Sequence, residues 1–226
     1  MLSRLKHHLL RQSYFFIGYL LFIVSLITTL FFTSKKESSF WINQHWSESQ
    51  DVFFKYITFL GDGWFAFLVI LLLFIFGSKI KWGFYAIAAF LSTAIFTQLL
   101  KRSFFSEALR PSLEYYTEFK AGLWHQVEGV DLLGNHSFPS GHATSAFSVF
   151  CLLALITNNK KYGLLFLIVA ILTAYSRVYL SQHFLEDILV GAIIGGLGGV
   201  IIYMLLDQIN WSKKLEKGFL NNTIEN

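Results

Sequence analysis

Long runs without a charged residue recur along this chain, and they restrict its fold more than any other feature. Tyr14–Thr33 carries no Asp, Glu, Lys or Arg over 20 positions, enough for one helix to cross the ~30 Å hydrocarbon layer of a bilayer. Five further apolar runs follow, at 64–78, 82–100, 140–157, 162–176 and 188–206. The expected architecture is all-α: an integral membrane bundle of six transmembrane helices forming a single domain, 1–226. A long outer loop, 101–139, joins helices three and four. The composition agrees, because a chain that is 54% hydrophobic with 25 Phe carries more apolar surface than a soluble core can hide.

The N-terminus, Met1–Arg11, is basic, and the run after it is long for a signal-peptide core and lacks a small-residue cleavage site. It is read as a retained first span. Six crossings put both termini on one side. The short loops carrying Lys79, Lys81, Lys160 and Lys161 assign that side to the cytoplasm. Val52–Leu60 is short, aromatic and interrupted by Lys55, and is expected to lie along the surface before the Gly61-Asp62-Gly63 turn. The net charge of +4 is spread in short clusters, and no nucleic-acid signature is present, so nucleic acid is excluded as a partner. The single Cys151 lies inside an apolar run and is read as packing. The last run contains Gly191-x-x-x-Gly195 and Gly195-x-x-x-Gly199, spacing that permits close helix approach in lipid. Two uses fit that stripe: a homodimer face, or packing against another helix of the same bundle.

Chemistry gathers in three places. The first is a polar island between the last two runs, Ser176-Arg177 through Asp187. If the chain is helical from Gln182 onward, His183 and Asp187 sit one helical step apart and face each other. A carboxylate holding one ring nitrogen leaves the lone pair of the other free to attack an electrophile. Arg177 can fork onto phosphoryl oxygens. The plainer reading makes Arg177, Glu186 and Asp187 interfacial anchors. The second place is Pro139-Ser140-Gly141-His142, where the long loop meets the fourth run. Ser140 is a preferred N-cap, Gly141 admits a ligand to the backbone, and the free N–H groups of a helix start receive phosphate. His142 in that first turn can protonate a leaving oxygen; an ordinary cap with an interfacial histidine fits equally. The third is Lys101, Arg102 and Arg110-Pro111, either phosphate-neutralising cations or anchors flanking a span. All three places fall at helix ends on one expected membrane face, and together they supply nucleophile, orienter, acid and anion clamp. The other histidines make no metal-ligand spacing, and no metal or cofactor is expected.

These residues resemble the type 2 phosphatidic acid phosphatase family, in its membrane lipid phosphatase branch. The family's second motif, Pro-Ser-Gly-His, stands at Pro139–His142, and its third, Ser-Arg-x5-His-x3-Asp, at Ser176-Arg177, His183 and Asp187. Its first, Lys-x6-Arg-Pro, departs here: Arg110-Pro111 would call for lysine at 103, which is Ser103. Lys101 is favoured over Arg102 for that role, returned to the site by a longer loop excursion. The resemblance implies a metal-independent phosphatase in which His183 becomes a phosphohistidine, oriented by Asp187. His142 serves as acid and then base, and Lys101, Arg110, Arg177, Ser140 and Gly141 hold the phosphoryl group. It implies a lipid phosphomonoester or diphosphate as substrate, surrounding membrane lipids as partners, and a bacterial inner membrane with the site facing outward. A phosphotransferase using the same intermediate is the alternative within enzymes. Outside them the alternative is a transporter with polar helix ends, which would carry polar residues along its spans rather than at one end.

Overall fold

The structure is a computed structural model that describes residues 2–157 and 159–219. Helices α1 (Leu2–Arg11) and α2 (Ser13–Phe32) lead into α3 (Lys35–Gln44) and α4 (Glu48–Ile57), and a 3₁₀ turn, Thr58–Gly61, precedes α5 (Gly63–Phe76). After α6 (Lys81–Ser103) come two short helices, α7 (Pro111–Glu114) and α8 (Tyr116–Lys120), and then α9 (Gly141–Ile156), α10 (Lys160–Tyr179) and α11 (Leu185–Leu206). No strand occurs among the described residues.

Lipid offers no partner to a backbone N–H or C=O, so each apolar run forms a helix that satisfies its own. Four of them, α2, α6, α10 and α11, are long and apolar enough to cross a membrane. A fifth crossing arises if α4 with its 3₁₀ turn and α5, bent by 57° at Asp62, count as one span; α9 is apolar but shorter. Large side chains such as Leu20, Phe67, Ile95 and Ile201 remain exposed around the bundle, an apolar belt of the kind a bilayer covers.

Helix α9 is the centre of the molecule. Ala143, Ala146, Phe147, Phe150, Cys151, Ala154 and Leu155 are all buried, as expected of a helix apolar on every side. It is wedged among α6, α10 and α11. The glycine stripe explains how α11 comes so close. A Cβ on Gly191 would lie 2.6 Å from the Ser140 carbonyl oxygen, and one on Gly199 3.3 Å from that of Ser148. On Gly195 it would strike the Thr144 carbonyl. This stripe is therefore covered by α9, which decides between its two expected uses: Gly191, Gly195 and Gly199 pack inside the bundle and are not left as a homodimer face.

Three boundaries differ from expectation, and each matters to chemistry. Helix α6 runs on to Ser103, so Lys101 and Arg102 ride its last turn instead of opening the loop. Helix α10 runs on to Tyr179 and takes in Arg177, and α11 begins at Leu185 and takes in Asp187. Residues 48–61 do not merely skim the surface, for Phe54 is buried against Tyr175 and Tyr179 of α10. The long loop is pinned rather than free. The Asn43 side chain brackets the backbone of His125 from both sides, accepting from its N–H at 2.9 Å and donating to its carbonyl at 2.8 Å. Lys55 Nζ donates to the Glu128 carbonyl at 2.6 Å.

Candidate active site

The turn between α10 and α11 sets the position of His183. Gln182 N–H donates to the Arg177 carbonyl at 2.9 Å, and Ser181 N–H to that of Val178 at 3.0 Å. This paired closure of a helix C-terminus puts the intervening residue in the left-handed region, and Ser181 has φ 56°. His183 N–H then joins Gln182 on the Arg177 carbonyl at 3.0 Å, so the chain reverses tightly around Arg177. The Ser181 hydroxyl accepts from Trp124 Nε1 at 2.7 Å, which ties the long loop to the turn.

Asp187 meets His183 by a route different from the expected helical face. The helix starts after Phe184, so His183 lies outside it, and Asp187 in the first turn reaches back over the helix start. Its Oδ2 accepts from Phe184 N–H at 3.0 Å, from the Ser137 hydroxyl at 2.5 Å and from His183 Nδ1 at 3.1 Å. Arg110 Nη1 lies 3.4 Å from His183 Nε2. A guanidinium can only donate, so Nε2 is the acceptor and the proton resides on Nδ1. Burial, then the charges of Arg110, Arg177 and Lys101, hold the imidazole well below its usual 6.5 and keep it neutral. The product is a histidine with one nitrogen anchored and the other presented, unprotonated, among cations.

Those cations come from three elements. On α6, Ala89, Thr93, Thr97 and Lys101 recur every fourth residue, and all four are buried, whereas Arg102 is exposed. Thr97 bonds across to Thr144 of α9 at 3.2 Å, and Lys101 continues that inward stripe. Arg110 comes from the loop, with its backbone N–H on the Gly134 carbonyl at 2.8 Å. Its side chain donates to the carbonyls of Asn135 and Gln182 at 3.0 and 2.8 Å. Arg177 Nη1 donates to the Thr58 hydroxyl at 2.7 Å, while its buried Nε has no protein partner. A desolvated, partly unsatisfied guanidinium beside a second one and a lysine forms a receptor for an anion.

The start of α9 completes the site, with one change from expectation. Ser140 is fully buried; its hydroxyl accepts from Ala143 N–H at 3.4 Å and its own N–H donates to the Asp187 carbonyl at 3.0 Å. It therefore locks α9 onto α11 and has no amide left for a ligand. Gly141 and His142 hold the free first-turn N–H groups, and a side chain at Gly141 would meet nothing within 4 Å, so the approach there is open. His142 Nε2 lies 2.8 Å from Asp62 Oδ1. The structure thus gathers His183, Asp187, Lys101, Arg110, Arg177, Gly141 and His142 at one end of the bundle. It leaves Arg102 outside.

Sequence reasoning passed over Ser137, Gln182, Thr58 and Asp62. Ser137 stands two residues before the proline of the second motif, and that proximity was its only signal; nothing local marks Thr58 or Asp62.

A model of the PAP2 superfamily matches residues 81–211, which contain every one of the gathered residues but not their partners Asp62 and Thr58. The chain belongs to the PAP2 superfamily. Among relatives in this superfamily is a lipid A 4'-phosphatase of Bacteroides thetaiotaomicron. It is 32% identical over 76 residues, which are 34% of this chain and 34% of that protein. An undecaprenyl-diphosphatase of Bacillus subtilis is 29% identical over 73 residues, 32% of this chain and 37% of that one. The chain thus spans about a third of the length of these two relatives. The crystal structure of LpxE from Aquifex aeolicus superimposes with a TM-score of 0.62 at 29% identity, covering 76% of this chain and 96% of that one.

Proposed function

We propose that this PAP2 protein is an integral membrane phosphatase that hydrolyses a lipid phosphomonoester or diphosphate through a phosphohistidine. The observation that carries the reading is the state of His183: Nδ1–H on Asp187, Nε2 unprotonated and beside the Arg110 guanidinium. In the first step His183 Nε2 bonds to phosphorus as the bond to the leaving oxygen breaks, and His142 donates a proton to that oxygen. In the second, His142 takes a proton from water, whose oxygen displaces Nε2, and phosphate leaves. Lys101, Arg110, Arg177 and the first N–H groups of α9 neutralise the equatorial oxygens, as phosphoryl transfer demands chiefly positioning and charge. Asp187 orients His183 and stabilises its phosphorylated form.

A lipid substrate follows from the setting. The gathered residues lie at helix ends of an apolar bundle, so a tail can stay in the bilayer while its headgroup meets the cations. The names of the relatives, lipid A 4'-phosphatase and undecaprenyl-diphosphatase, agree with a lipid-linked phosphate or diphosphate. Counting α5 and α9 as crossings gives six spans, both termini in the cytoplasm and the site at the outer face of the inner membrane.

The test is phosphate release by purified protein in detergent from lipid A, undecaprenyl diphosphate, phosphatidylglycerol phosphate and phosphatidic acid. At least one is turned over, vanadate inhibits, and His183→Ala abolishes release while retaining the folded protein's melting transition. Undiminished turnover in that variant removes the mechanism.

A further inference from the structure

We propose that the bend before α5 is a positioning element of this site, with Asp62 orienting His142 as the proton donor and Thr58 fixing Arg177. The inference rests on the phosphatase reading above and adds to it a part of the chain that the superfamily match, 81–211, does not reach.

Three contacts carry it. Asp62 Oδ1 is 2.8 Å from His142 Nε2, and the Thr58 hydroxyl accepts from Arg177 Nη1 at 2.7 Å. Between them, Gly61 presses against the start of α9. A Cβ there would lie 2.9 Å from His142 Cβ, 3.0 Å from the His142 carbonyl oxygen and 3.0 Å from Thr173 Cγ2. That approach is closed to any side chain, so the bend is seated on α9 and α10 at a fixed distance. Asp62 is the first residue after the 3₁₀ turn and stands just before α5, where the helix axis turns by 57°. The bend delivers one carboxylate and one hydroxyl to two separate members of the site.

The pairing has a mechanistic consequence. With Nε2 of His142 committed to Asp62, Nδ1 is the nitrogen left to exchange the proton with the leaving oxygen. The site then holds two carboxylate–histidine pairs of mirrored polarity: Asp187 grips His183 at Nδ1 and frees Nε2, and Asp62 grips His142 at Nε2 and frees Nδ1. Arg177 and Arg110 also face His142 electrostatically, as does the ring of His183. Burial and then both arginines oppose a charged imidazolium, and Asp62 is the carboxylate that offsets them. Without it, His142 loses its proton at lower pH.

The experiment compares wild type, Asp62→Asn, Asp62→Glu and Thr58→Val, each as the full chain in detergent, on an alkyl lipid phosphate and on p-nitrophenyl phosphate. The alkyl leaving group needs a proton and the nitrophenolate does not. Asp62→Asn is expected to lower the single-turnover rate of the first step for the alkyl substrate about 10²-fold while leaving the burst of nitrophenolate, which needs no proton, nearly unchanged; the second step, in which His142 is the base, slows alike for both. The same substitution moves the alkaline limb of the alkyl first-step profile down by about one pH unit. Asp62→Glu restores most of both. Thr58→Val raises KM for both substrates several-fold and leaves the limb in place. Equal first-step losses on the two substrates with an unmoved limb would show Asp62 to be structural only and overturn the proposal. A second readout stands apart from turnover: the titration midpoint of His142 by NMR of histidine-labelled protein, assigned with His142→Gln. It falls in Asp62→Asn if the pairing acts as proposed; an unchanged midpoint overturns it. Full turnover in His183→Ala would instead remove the phosphohistidine and leave the midpoint result standing.

Discussion

Ser181 stands in a backbone conformation that favours glycine, and it holds His183 in place. A left-handed residue other than glycine costs about 1 kcal/mol, here offset by the bond from Trp124 Nε1 at 2.7 Å. The same turn leaves His183 outside α11, so the His183–Asp187 pair, legible from its spacing, is built by a carboxylate reaching back across a helix start. Asp187→Asn removes the acceptor of three bonds and allows the wrong tautomer, in which Nε2 carries the proton. Its kcat is expected to fall about 10³- to 10⁴-fold at little change in KM, measured by steady-state phosphate release. Acid pH tests the neutral state of His183. An unfolded chain binds a proton on this ring near pH 6.5, whereas the folded site holds the imidazole neutral well below that value. Folding is thus unaffected above that pH and penalised as pH falls through it, by up to about 1.4 kcal/mol for each pH unit until the folded site also protonates. Melting in detergent at about pH 7.5 and about pH 5 should show a larger acid loss for wild type than for His183→Gln.

At the scale of elements, the site depends on where helices stop. The extra turn at the end of α6 carries a four-residue stripe, Ala89, Thr93, Thr97 and Lys101, inward to its last member. Helical phase, and not a longer loop excursion, separates Lys101 from Arg102, for it turns position 101 to the core and 102 to solvent. Lys101→Ala should therefore lower kcat/KM about 10²-fold, and Arg102→Ala should stay within about twofold. Kinetics on both variants decide it, and the reverse order would transfer the role to Arg102. Apolar runs revealed six of the helices, because lipid penalises charge in mid-span and leaves an unambiguous record. They could not reveal α3, α4, α7 or α8, whose polar faces meet water. Nor could they reveal partners brought in from afar, such as Ser137 on Asp187 across 50 residues or Thr58 on Arg177 across 119. Such contacts exist only once α9 is surrounded.

The whole molecule has two unlike ends. At one, cations, histidines and carboxylates are buried around the starts of α9 and α11. At the other, the segment after α11 is stapled to the α5–α6 turn, with Glu216 between Lys79 and Lys81 at 2.7 and 2.5 Å and the Lys217 carbonyl accepting from Ile80 N–H at 3.0 Å. If all six long helices cross, the long loop with Leu123 faces outward and Tyr162, at the start of α10, faces the cytoplasm. The chain permits a clean test, since its single cysteine, Cys151, is fully buried in α9. In a Cys151→Ser background, new cysteines at Leu123 and at Tyr162, 66% and 55% exposed, report on opposite ends. A membrane-impermeant maleimide applied to intact cells should modify the cysteine at 123 and reach that at 162 only after the membrane is broken. The opposite pattern would put the candidate site in the cytoplasm. Equal labelling of both before lysis would mean that no crossing lies between them, making α9, the one helix between positions 123 and 162, re-entrant rather than a crossing.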